Sequence, residues 1–82
     1  EGVVVEGCRA LLNDDRRVVK VANLATMHLG PAEILLAAHL DFADGLGSGE
    51  VEAATAELEI KLRENFPDVR RIYLEPRDLV PD

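Results

Sequence analysis

The chain has 82 residues, 48% of them hydrophobic and 30% charged, with a formal net charge of −7. That length encloses one core in a single domain over 1–82, small enough to gain from a partner subunit, and the apolar share excludes a disordered chain. The acidic balance, with no local cluster of Lys and Arg, argues against nucleic acid as a partner, and the single cysteine, Cys8, excludes an internal disulfide or a paired-thiol metal or redox motif and suits a reducing compartment.

Val4, Cys8 and Leu11, with Val5 and Leu12 beside them, form an i, i+4, i+7 stripe that predicts a helix over Val3–Asn13. Gly7 weakens it by about 1 kcal/mol relative to Ala, and Asn13-Asp14-Asp15 ends it with turn-forming residues. The apolar and β-branched content of Val18–His28 predicts a strand whose alternation is poor. Gly30-Pro31 then breaks the run as a hairpin turn. From Ile34 to Phe42 the pattern alternates: Ile34, Leu36, Ala38, Leu40 and Phe42 on one face, Leu35, Ala37, His39 and Asp41 on the other.

Ala43–Gly49 is a Gly/Ser/Asp connection, with Gly47 or Ser48 placed to cap the next helix and Glu50 and Glu52 favourable at its N-terminus. Val51, Ala54, Leu58 and Leu62 form the stripe of that helix, and Glu57–Lys61 and Glu59–Arg63 stand at i, i+4 on its outer side. Pro67 stops it near Asn65. A third strand over Val69–Leu74 closes at Pro76, and residues 77–82 read as a mobile tail. The order is α-β-β-α-β: an antiparallel hairpin, then a helical crossover that makes the last two strands parallel. This is an α+β two-layer sandwich, with a three-stranded mixed sheet, both helices on one face and the other face uncovered for a second copy. No apolar run of about eighteen residues spans a membrane, and the opening Glu1 in place of a Met predicts a piece of a longer protein.

Imidazole and carboxylate donors suitable for a divalent metal occur at His28, His39, Asp41, Asp44 and Glu75. His28 and His39 lie on opposite arms of the hairpin, and only the register decides whether they meet. The residues alone leave His39 open between an interface histidine and a ligand, His28 between a solvated turn residue and a ligand, and Asp41 and Asp44 between turn residues and ligands. No nucleophile–base pair, nucleophile elbow or phosphate loop is present, and Gly45-Leu46-Gly47-Ser48-Gly49 lacks the Lys of a P-loop, so no catalytic residue is assigned and an enzyme is not expected.

Thr26-Met27-His28-Leu29-Gly30-Pro31, the Ile34–Phe42 strand, Asp44-Gly45-Leu46, Glu50-Val51-Glu52-Ala53-Ala54, Phe66-Pro67 and Ile72-Tyr73-Leu74-Glu75-Pro76, in that order and spacing, resemble the C-terminal cytoplasmic domain of the cation diffusion facilitator transporters. The resemblance covers nearly the whole chain. It implies a ferredoxin-like, metallochaperone-like domain on the cytoplasmic side of the cell membrane, paired with its twin as a homodimer. It further implies a place below the transporter's own transmembrane domain, which exports Zn²⁺ or a related divalent metal in exchange for protons. Carried over by the resemblance, metal ligands fall on His39 and Glu75, while Ala22 and Tyr73 stand where two further histidines are expected. The expectation is an incomplete site for Zn²⁺ or another divalent metal, to which His28, Asp41, water or the partner chain would add, with fold and dimer retained. The competing reading is a freestanding small-ligand or metal-carrier domain of similar fold, which would lack the paired cysteines of soft-metal carriers.

Overall fold

The computed structural model describes residues 2–76. Five elements follow one another as predicted: α1 (Gly2–Asn13), β1 (Val18–Gly30), β2 (Glu33–Phe42), α2 (Ser48–Asn65) and β3 (Val69–Pro76). The expected tail over 77–82 lies outside the described residues. The sheet order is β1-β2-β3, with β1 antiparallel and β3 parallel to the central strand β2.

The regular alternation of β2 is realised residue by residue. Ile34, Leu36, Ala38, Leu40 and Phe42 are buried under the helices, and the residues between them are not. Facing them, α1 contributes Cys8 and Leu12, and α2 contributes Ala54, Leu58 and Leu62. Val18 and Val21 from β1 and Val69, Ile72 and Leu74 from β3 complete the core. Burying a Leu, Ile, Val or Phe side chain contributes roughly 1.5–3 kcal/mol, so these stripes, rather than helix propensity, hold α1 and α2 in place. Burial also pushes the Cys8 thiol up from its ordinary pKa, which keeps it protonated. Gly7 has a steric role: a Cβ there would stand 2.6 Å from the Phe66 ring, so the glycine admits the ring that closes this end of the core.

β1 explains its own poor alternation. It has 13 residues against 10 in β2, and the register slips by one residue at Val19, at Asn23–Leu24 and at Leu29. Each slip is a bulge that shifts the inward parity, so Val18 and Val21 both face the core although they are three apart. At the middle bulge Asn23 has φ 55°, a left-handed conformation that Asn tolerates better than other residues with a Cβ. β1 also runs to Gly30, so the hairpin turns on Pro31-Ala32 rather than on Gly30-Pro31, and β3 continues past Leu74 to Pro76. Pro76 is tolerated there because β3 is an edge strand.

The ends of the helices are fixed by short polar contacts. The Gly47 N–H donates to Glu50 Oε1 at 2.7 Å, and Gly47 O accepts the first helical bond from Val51 at 3.0 Å, so Gly47 is the cap of α2. Between α1 and β1, Asp15 accepts from the Arg17 backbone N–H at 2.8 Å, Nε at 2.9 Å and Nη2 at 2.7 Å. Those bonds from Arg17 hold the Asp15 carboxyl down at about 2. The same guanidinium reaches Glu57 at 3.0 Å, so Glu57 pairs across to Arg17 rather than along α2 to Lys61 as the spacing predicts. The Glu59–Arg63 pair is present at 3.8 Å.

Candidate metal centre on the open sheet face

With both helices on one side, the odd-numbered residues of β2 line the other. Ala37 faces Ala25 on β1 and Tyr73 on β3, and Leu35 faces Met27 and Arg71. Ala25, Met27, Leu35, Ala37 and Tyr73 make the middle of the face apolar, with Met27 60% and Tyr73 54% exposed. At one end Arg71 Nε donates to Glu33 Oε2 at 2.9 Å, a contact that pushes the Arg71 pKa up. At the other end stands His39.

The register decides what His39 meets. It lies opposite Ala22 on β1 and opposite Glu75 on β3. Its Nε2 stands 3.4 Å from Glu75 Oε1, and its Nδ1 stands 3.4 Å from Asn23 Nδ2, so each ring nitrogen faces a different edge strand. The side chains of His39 and Glu75 are 42% and 71% exposed, open to a ligand from solution or a second chain. Asp41 follows His39 on the same face, two positions along and opposite Lys20. Sequence reasoning missed Asn23, although Asn is disfavoured in a regular strand and tolerates the left-handed conformation it takes here.

His28 does not join this group within one protomer. It pairs with Ile34, five residues or about 17 Å along β2 from His39, and the bulge at Asn23–Leu24 turns it to the opposite face. Asp44 lies in the exposed turn after β2, beside Gly45 at φ 92°. Among the described residues no three His, Cys, Asp or Glu side chains gather to hold a metal, and no helix is long and apolar enough to cross a membrane.

Comparison with known proteins places this arrangement. No family model and no curated protein sequence matches the chain. Among solved structures, CzrB, assigned as a zinc transporter, is 30% identical with a TM-score of 0.79, over 94% of this chain and 96% of that one. CzrB is also solved in a zinc form, at 29% identity. The chain belongs to the cation diffusion facilitator family. Two further members share its fold at low identity. The metal-bound C-terminal domain of the CzcD transporter from Thermotoga maritima has a TM-score of 0.86 at 9% identity, over 96% of this chain and 91% of that one. The cytosolic domain of a cation diffusion facilitator protein has 0.81 at 9%, over 90% and 87%. These neighbours are transporter domains, not enzymes, and the α-β-β-α-β order is the fold of their C-terminal domains.

The donor chemistry fits a divalent cation of the zinc type as half of a site. One imidazole and one carboxylate at 3.4 Å are borderline and hard donors, respectively, and a structural zinc site takes four. Ala22, opposite His39, offers no donor, and Tyr73, two positions before Glu75, offers only a phenol oxygen.

Proposed function

We propose that this chain is the dimerisation and regulatory domain of a proton-coupled exporter of Zn²⁺ or a related divalent cation. It would sit on the cytoplasmic side of the cell membrane and be joined to the transmembrane domain of the same protein. Membership of the cation diffusion facilitator family and the likeness to the zinc-form CzrB domain support this reading. The observation that carries it is the His39–Glu75 pair at the end of an uncovered apolar sheet face.

A second copy, facing the first through that sheet, covers Met27, Leu35, Ala37 and Tyr73 and pools two imidazoles with two carboxylates. That is a tetrahedral N₂O₂ donor set, assembled only in the pair. Metal bound there belongs to the dimer and not to the monomer, so it tightens association by mass action. The same coupling makes dimerisation raise metal affinity. The charge of −7 favours cation uptake and opposes unaided association, which leaves the dimer equilibrium responsive to metal.

The test is a calorimetric Zn²⁺ titration of the metal-free domain beside His39→Ala. The expected result is one Zn²⁺ per two chains in the wild type and loss of that binding in the variant. A stoichiometry of one per chain, or equal affinity in the variant, contradicts the shared site.

A further inference from the structure

His39 is held from both sides, and the partner on the β1 side has been given no role so far. Asn23 sits at the β-bulge where two residues of β1, Asn23 and Leu24, oppose the single Ala38 of β2. The bulge and its left-handed φ of 55° bring the Asn23 amide over the sheet face to His39 Nδ1, where a regular strand would present Ala22 alone to that histidine. A left-handed residue with a Cβ costs about 1–2 kcal/mol where the side chain offers no compensation. The backbone is thus bent where Asn23 reaches the ring.

We propose that Asn23 is the positioning residue of the His39 site: its amide engages Nδ1 and thereby leaves Nε2 as the nitrogen directed at Glu75 and at a bound cation. The proposal rests on the metal-regulation reading above and adds a residue to it. With the amide Nδ2 donating to Nδ1, the neutral ring carries its proton on Nε2, aimed at Glu75 Oε1. A cation needs the Nε2 lone pair. The ring then gives up the Nε2 proton to solvent and takes one at Nδ1, with no net change in charge. The Asn23 amide serves this second tautomer by turning over, so that Oδ1 accepts from Nδ1–H. An amide can hold both tautomers, whereas a carboxylate holds only the second, and metal-ligating imidazoles regularly lean on such a partner.

The discriminating variants are Asn23→Gly, which keeps the left-handed backbone and removes the amide, and Asn23→Asp, which offers an acceptor only. The first readout is the ¹⁵N spectrum of the His39 ring in the metal-free chain at neutral pH. The wild type is expected to hold the Nε2–H tautomer, Asn23→Gly to show a mixture, and Asn23→Asp to shift to Nδ1–H. The second readout is Zn²⁺ affinity: about 10-fold tighter in Asn23→Asp, whose carboxylate favours the Nδ1–H tautomer that frees Nε2, and changed much less in Asn23→Gly, which loses the amide's hold on both tautomers. An identical tautomer ratio in wild type and Asn23→Gly overturns the proposal, as does Zn²⁺ affinity indifferent to both substitutions. A tautomer shift with no Zn²⁺ binding by any of the three chains overturns the metal-regulation reading instead and upholds Asn23 as the residue that orients His39 toward Glu75.

Discussion

Replacing Asp15 by Asn tests how the corner between α1 and β1 is fastened. Asp15 is the acceptor for three bonds from Arg17, its side chain is 9% exposed, and its pKa falls from an ordinary 3.8 to about 2. A fall of that size corresponds to about 2 kcal/mol at roughly 1.4 kcal/mol per pH unit. The Arg17 side chain is 31% exposed, so solvent screening reduces the figure to about 1–2 kcal/mol. The folded-state pKa lies below the unfolded value. The stabilisation is therefore complete above pH 4, declines as pH falls through the interval between 3.8 and about 2, and is absent below it. Urea unfolding followed by circular dichroism, with a slope of ~1 kcal/mol/M for a domain of this size, should show Asp15→Asn unfolding about 1–2 M earlier at pH 7. At pH 2 the two midpoints should nearly coincide. A gap that stays constant from pH 7 to pH 2 would refute the assignment of that stability to the Asp15 charge.

The core and the open face make separate demands. Leu58→Ala removes a fully buried side chain of α2 and should cost about 2–5 kcal/mol in the same urea assay; a loss under 1 kcal/mol would mean the α2 stripe is not packed as described. Ala37→Glu places a carboxylate between Ala25 and Tyr73, and sedimentation should report a monomer of near-native helix content; a dimer as tight as the wild type would move the interface elsewhere. Ala22→His adds an imidazole opposite His39, at a Cβ separation of about 5 Å, and should tighten Zn²⁺ binding by at least about 10-fold; unchanged affinity would place the metal away from that pair.

How far the sequence reaches differs between strands for a physical reason. β2 is central and regular, so its period of two was readable from Ile34 to Phe42 and matches its burial without exception. The stripe Ala54, Leu58, Leu62 was equally plain because α2 touches the sheet along one line. β1 was readable as a strand but not in its facing, because three bulged residues reverse its parity and a bulge leaves little trace in hydrophobicity. That is why the relation of His28 to His39 stayed open, and why the structure alone puts them on opposite faces. The pairing of His39 with Glu75 also depends on parallel register across a crossover, which local pattern does not encode. There the family resemblance supplied both residues, and the geometry brings the two together. Asn23 was overlooked because the strand over Val18–His28 was read from its apolar and β-branched residues alone, and the bulge that carries Asn23 to His39 leaves no mark in that pattern.

The central claim is that metal governs the pairing of two such domains, and sedimentation equilibrium of the wild-type domain with and without Zn²⁺ tests it most directly. The account predicts a monomer–dimer equilibrium that shifts at least about 10-fold toward dimer when Zn²⁺ is added, and returns on chelation. A dimer constant unchanged by saturating Zn²⁺ would contradict it and leave the domain a scaffold without a metal switch.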